Sequence, residues 1–122
     1  MNNANFNQSE QDYLESLLML SKNSEVVHRI DVAKRMSVSG AAVNKAMKLL
    51  CEKGYVYEDG KHLYLTKSGK AYAEKVYEKH CIIRGFLQKL GVSPDNAEED
   101  ACRMEHLVCE ETFEKMKEFL EN

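Results

Sequence analysis

No apolar run in this 122-residue chain approaches the roughly 20 residues that cross a bilayer. The opening residues, Met1-Asn2-Asn3-Ala4-Asn5, lack the basic and apolar stretches of a secretory leader. Both absences point to the cytoplasm and to no membrane partner. Internal repeats and low-complexity segments are missing as well. Nothing suggests a substrate pocket or an oxyanion-stabilising loop, so the pattern does not indicate an enzyme. The four cysteines, Cys51, Cys81, Cys102 and Cys109, are expected to be reduced thiols in such a compartment.

The hydrophobic fraction of 43% and charged fraction of 30% suit one core and at most a second small helical piece. A net charge of -3 hides an asymmetry. Residues 28–80 hold 11 Lys+Arg against 6 Asp+Glu, a net +5. Residues 81–122 hold 5 against 10, a net -5, and residues 1–27 hold 1 against 4, a net -3. A basic middle between acidic ends suits contact with phosphate, although ordinary surface charge gives the same count.

Apolar spacing predicts six helices and one hairpin. After a polar arm over residues 1–8, Ser9 is placed to cap a helix from about Glu10 to Ser21, with Tyr13, Leu14, Leu17, Leu18 and Leu20 inward. A second helix is expected over about Arg29 to Met36, then a tight turn at Ser37-Val38. Ser39 caps a third, about Gly40 to Lys53, stopped by Gly54, with Val43, Met47 and Leu50 inward. Asp59-Gly60 suits a type I′ turn between two short strands. Thr66 caps a fourth helix to about Leu90, stopped by Gly91. Ser93-Pro94 opens a fifth that carries residues 102–106, and a sixth runs from about Glu111 to Leu120.

Two short helices, a tight turn and a hairpin make a winged helix-turn-helix, in which the third helix enters the major groove. Gly40, Ala41 and Ala42 are small enough for close approach to base edges. Asn44 can pair with adenine, and Lys45 with guanine or phosphate. Ser39 and the helix start can take a phosphate oxygen. Lys48, Lys61, His62 and Lys67 are candidates for backbone contact. The same fold also serves as a protein-interaction module, and helix lysines are commonly just solvated.

The densest chemistry lies in Asp100-Ala101-Cys102-Arg103-Met104-Glu105-His106. On a helix, Cys102, Glu105 and His106 share one face within roughly 100°. Thiolate, carboxylate and imidazole together form part of a shell for a divalent transition metal. His80 on the fourth helix, and Asp12 and Glu15 at i, i+3 on the first, are candidates to complete it. Each has a plainer reading: Asp12 as part of a capping box with Ser9, Glu15 as a solvated position, His80 as an ordinary histidine, Cys102 as a small buried hydrophobe. Up to four negative charges meeting there would repel one another, and a 2+ ion reverses that balance.

With these residues in view, the chain resembles the diphtheria toxin repressor and manganese transport regulator family of metal-dependent transcriptional repressors. The likeness covers roughly residues 9–120. It is carried by the 100–106 segment, Val38-Ser39-Gly40-x-x-Val43, Leu65-Thr66-x-x-Gly69 and Lys79-His80. The resemblance implies that Cys102, Glu105 and His106 match the iron-responsive branch, that His80 serves both branches, and that Asp12 and Glu15 match the manganese-responsive branch. Arg84 and Glu98 stand where the iron branch has ancillary ligands of other types, which argues against an ancillary site of that kind.

The expected protein is therefore mainly α with a small hairpin wing. Residues 1–70 form the winged helix-turn-helix, and residues 71–122 a helical metal-binding and dimerisation domain with no SH3-like third domain. The expected function is metal-dependent repression of iron or manganese homeostasis genes. The cofactor is Fe²⁺ or Mn²⁺, with Zn²⁺ or Co²⁺ able to bind in a tube. Partners are a near-palindromic DNA operator and a second copy of the chain, held through Ile82, Ile83, Phe86, Leu87, Leu90, Leu107, Phe113, Met116 and Phe119. The alternative is a redox- or ligand-responsive winged-helix regulator with no sensory metal. A metal-storage protein would bind metal without salt-dependent DNA affinity.

Overall fold

A computed structural model describes the backbone of residues 4–122 and the side chains of residues 8–122. The described side chains form two compact units, residues 8–74 and residues 75–122. The elements, in order, are α1 (Ala4–Asn23), α2 (Arg29–Met36), α3 (Gly40–Glu52), β1 (Val56–Asp59), β2 (His62–Leu65), α4 (Lys67–Lys89), α5 (Pro94–Met104) and α6 (Glu110–Glu121). No helix among the described residues is long and apolar enough to cross a membrane. The mainly helical class with a hairpin wing is as the sequence predicts.

In the N-terminal unit the helical phase of the sequence becomes a core of Leu14, Leu17, Leu18, Val32, Val43, Met47 and Leu50. Ser37 closes α2 in the left-handed region at φ 56°, turning the chain into α3. Ser39 Oγ accepts the Ala42 N–H at 3.1 Å, satisfying a donor that the start of α3 leaves open. Lys53 pairs with Glu10, whose other oxygen accepts from Tyr72 Oη at 2.8 Å. That cluster ties α1 to the end of α3 and the start of α4. Desolvation, aided by the neighbouring Glu10, pushes the Tyr72 phenol up to about 12.

Two local expectations are corrected. The helix expected to begin after Ser9 already includes Ala4–Gln8, so Ser9 is helical and caps nothing. Asp12 then lies within α1, which removes the capping-box reading. Residues 1–3 of the expected polar arm lie outside the described residues. The hairpin turn is also displaced by one residue. Asp59 pairs with His62, leaving Gly60-Lys61 as the two-residue loop. Gly60 alone has a positive φ there, 66°, the pattern of a type II′ rather than a type I′ turn. This register buries Val56 and Leu63 and turns Tyr57 and Glu58 outward.

Gly69 explains the Leu-Thr-x-x-Gly pattern. Thr66 N–H donates to Tyr55 O at 3.0 Å, and Thr66 Oγ1 accepts the Gly69 N–H at 3.1 Å. The first turn of α4 therefore lies against the Tyr55 backbone, and a Cβ at residue 69 would stand 1.9 Å from Tyr55 O. Only glycine fits.

The C-terminal unit is built on Ile83, Leu87, Ala97, Ala101 and Phe113, with Ile82, Phe86, Met104 and Met116 packed around them. Alanines at 97 and 101, one turn apart, give α5 a smooth buried stripe. Ser93 and Pro94 start α5 as expected, with Ser93 Oγ accepting the Asn96 N–H. Of the apolar residues expected at a dimer interface, Ile83, Leu87 and Phe113 are core of this unit. Leu90, Leu107 and Phe119 remain exposed.

Candidate metal centre and DNA-reading face

His80 organises the chemistry of the C-terminal unit. Its position on α4 buries the ring to 5% exposure, stacked near-parallel on Tyr77. Each ring nitrogen faces a carboxylate: Nδ1 lies 3.0 Å from Glu105 Oε2, and Nε2 lies 3.0 Å from Glu98 Oε2. The Glu105 carboxylate raises the His80 pKa above the usual 6.5 against the opposing pull of burial, and Glu98 adds to the rise. Cys102 Sγ stands 3.9 Å from His80 Nδ1 and 3.8 Å from Glu98 Oε2.

The 102–106 segment is not one continuous helical face. α5 ends at Met104, and both Leu107 and Val108 N–H bond to Met104 O, which turns the chain away. Cys102 is therefore on the last helical turn and exposed. Glu105 and His106 lie past the helix end with side chains only 1% exposed, Glu105 Oε1 standing 3.3 Å from His106 Nε2.

Glu105 Oε2 is fully enclosed and has no hydrogen-bond partner among the described residues. His80 Nδ1 is close enough for an ion pair, but the approach is not the aligned one a hydrogen bond needs. Protonated His80 meets that oxygen as an ion-pair partner, and a divalent cation can take the same place. Ligand atoms of His80, Glu98 and Cys102 also lie within 4.8 Å of one another. Imidazole nitrogen, carboxylate oxygen and thiol sulfur in that arrangement fit a divalent transition-metal ion.

Glu98 was not among the metal ligands expected from the sequence. Its i, i+4 spacing before Cys102 on α5 was the available signal. Arg84 Nη1 donates to Glu98 Oε1 at 3.1 Å. Burial acts to raise the Glu98 pKa, but the Arg84 hydrogen bond and the His80 charge outweigh it and hold the carboxyl below its ordinary value. Asp12 and Glu15 lie three residues apart on α1 in the N-terminal unit, both half-buried.

On the N-terminal unit, Ser39, Ala41, Asn44, Lys45 and Lys48 are exposed along α3, and Ala42 is half-buried. Lys61 is exposed at the wing tip, and Lys67 begins α4. Two neighbours absent from the expected set stand beside them: Arg29 Nη1 donates to Asn44 Oδ1 at 2.6 Å and Arg29 also pairs with Glu58 of β1. His28 and His62 meet edge to face at 5.1 Å, and Tyr57 stacks on Tyr64 at 5.0 Å.

A winged helix-turn-helix followed by a helical unit bearing a His/Glu/Cys cluster defines a metal-responsive DNA-binding regulator. Residues 5–63 match the N-terminal DNA-binding domain of iron-dependent repressors, and residues 66–122 match their metal-binding and dimerisation domain. An HTH-type regulator of Methanocaldococcus jannaschii is 36% identical over 117 residues, 93% of this chain and 94% of that one. The transcriptional regulator MntR of Escherichia coli O6:H1 is 36% identical over 109 residues, 88% of this chain and 70% of that one. The solved structure of the manganese regulator SloR superposes with a TM-score of 0.80 at 33% identity, covering 92% of this chain and 53% of that one. The chain thus spans about half the length of the SloR chain. It belongs to the iron-dependent repressor family, the metal-dependent transcriptional repressors of iron and manganese homeostasis.

Proposed function

We propose that this chain is a cytoplasmic, homodimeric repressor with no enzymatic activity. It reads a near-palindromic operator of metal-homeostasis genes when Fe²⁺ or Mn²⁺ is bound. The observation that carries this reading is the enclosed Glu105 carboxylate, with an oxygen that lacks an aligned donor, beside His80 and near Cys102. His80, Cys102, Glu105 and His106 are the proposed ligands in the metal-binding domain, residues 71–122, and Asp12 and Glu15 of α1 are the proposed ligands in the reading domain, residues 1–70. Glu98 is added to that set because it already touches both His80 and Cys102.

A bound divalent cation supplies the positive charge that offsets these carboxylates and the thiolate. The chain's own residues do the rest. His80 would give up its ring proton to donate a lone pair, and Glu98 would exchange His80 and Arg84 for the ion. Lys45, Lys48 and Lys61 contact phosphate or bases, with Ser39, Ala41, Ala42 and Asn44 at the groove. The exposed Leu90, Leu107 and Phe119 supply apolar area for the second copy.

The test is duplex binding by purified, reduced protein titrated with Mn²⁺, Fe²⁺, Co²⁺ and Zn²⁺ against a chelator. Sequence-selective binding should occur only with a divalent ion. Binding that follows thiol oxidation and ignores the ion supports the redox-regulator alternative instead.

A further inference from the structure

Arg29, the first residue of α2, joins three elements through one planar group. Its Nε donates to Glu58 Oε2 at 2.9 Å and its Nη2 pairs with Glu58 Oε1 on the wing strand β1. Its Nη1 donates to Asn44 Oδ1 on α3 at 2.6 Å. The fork on Glu58 is bidentate, the geometry in which guanidinium and carboxylate hold each other most firmly. Isolated exposed ion pairs contribute little to stability, so the consequence here is orientational rather than energetic.

A guanidinium has donors and no acceptor, so the Asn44 oxygen, not its nitrogen, must face Arg29. That settles which way the Asn44 amide is turned. An unconstrained asparagine on a recognition helix can pair with adenine by accepting from N6 and donating to N7. Here one lone pair of the Asn44 oxygen already takes a charge-assisted bond, which holds that oxygen toward Arg29 and the amide nitrogen away from it. The amide nitrogen is the group turned outward, and a donor seeks an acceptor edge: purine N7, guanine O6 or thymine O4, which every base but cytosine presents in the major groove.

We infer that Arg29 is a positioning residue for sequence reading: braced by Glu58 of the wing, it turns Asn44 so that α3 presents an amide donor to a base with an acceptor edge and discriminates against cytosine. This deepens the DNA-reading function proposed above and rests on it. It also makes the wing a determinant of what α3 reads, in addition to any phosphate contact at its tip.

The test uses the full chain with Mn²⁺ present and a pool of randomised duplex DNA, sequenced after selection. Base preference and salt dependence are measured for the parent, Asn44→Ala, Arg29→Lys, Glu58→Gln and the Arg29→Lys/Asn44→Ala pair. Thermal unfolding confirms that each is folded, and Glu58→Gln decides the matter should Arg29→Lys fail to fold. The expected parent disfavours cytosine at the one half-site position that Asn44→Ala relaxes. Arg29→Lys and Glu58→Gln should relax that same position by roughly fivefold or more and leave the others intact. Arg29→Lys keeps its charge, so its salt slope should stay that of the parent, and the double variant should be no less selective than Asn44→Ala alone.

Unchanged base preference in both Arg29→Lys and Glu58→Gln overturns the inference, as does a uniform loss of affinity at every position. A preference for cytosine at the Asn44 position overturns it too. A parent that selects no sequence at all removes the DNA-reading function itself, which separates that failure from the narrower one.

Discussion

Glu105 Oε2 and His80 Nδ1 stand 3.0 Å apart inside the C-terminal unit, both side chains nearly sealed from solvent. The two come from separate helical segments, α4 and the turn after α5. Each serves as the other's counter-charge in the absence of a metal. Glu105→Gln removes that charge while keeping the shape. Metal affinity should fall by at least roughly tenfold, as loss of even a supporting group near a metal commonly does. DNA binding should lose its metal response, and circular dichroism should show an intact fold. A variant with the parent's metal dependence would remove Glu105 from the sensor.

The His80 pKa is raised in the folded chain, chiefly by Glu105. A group with a raised folded-state pKa contributes stability that is fully present below its unfolded value, 6.5, and is lost as pH rises through the folded value. Chelated protein should therefore unfold more easily as pH climbs above 6.5, and His80→Asn should flatten that slope. Metal affinity should move the opposite way, rising with pH, because the ring must shed its proton to act as a ligand. Thermal unfolding and metal titration across this window check both signs.

A methyl group at residue 69 would meet Tyr55 O at 1.9 Å, and the obstacle is backbone rather than a flexible side chain. Gly69→Ala should destabilise the protein by about 1–3 kcal/mol, the usual range for forced overpacking. Denaturant unfolding measures it. An unchanged midpoint would mean that the start of α4 is not held against Tyr55.

Lys45 is exposed on α3 and is not proposed as a metal ligand. Lys45→Ala should weaken duplex binding and lower the salt slope by about one if it meets phosphate, or relax one base position if it meets guanine. Metal affinity should stay close to that of the parent in either case. Equal loss of both would place Lys45 in the sensing machinery.

Much of this was readable from local pattern. Val43, Met47 and Leu50 fall on one helical phase, and all three are buried. Ser39 caps α3, and Ser93-Pro94 starts α5, because those side chains answer to backbone groups a few residues away. The hairpin register was ambiguous because Asp59-Gly60 and Gly60-Lys61 both offer a glycine to a tight turn. Burial of Val56 and Leu63 goes with the second. Ser9 looked like a cap because serine suits that place, but serine also tolerates a helix, and α1 continues through it. In the candidate cluster, the nearness of Cys102, Glu105 and His106 along the chain follows from their spacing. The end of α5 at Met104 was not, because it depends on how the chain leaves the core. Glu98 and Arg29 act through residues distant in sequence, 18 positions away at His80 and 29 at Glu58, and no short pattern encodes those meetings.

As proposed, a divalent ion held by His80, Glu98, Cys102 and Glu105 governs DNA reading. The most direct measurement is a single Co²⁺ titration of reduced protein mixed with a selected duplex, following thiolate-to-metal absorption and DNA binding together. The two signals should rise in step, with Cys102→Ser losing the absorption band and Glu105→Gln losing both. DNA binding that is complete before any thiolate absorption, or that is unchanged by chelator, would contradict it.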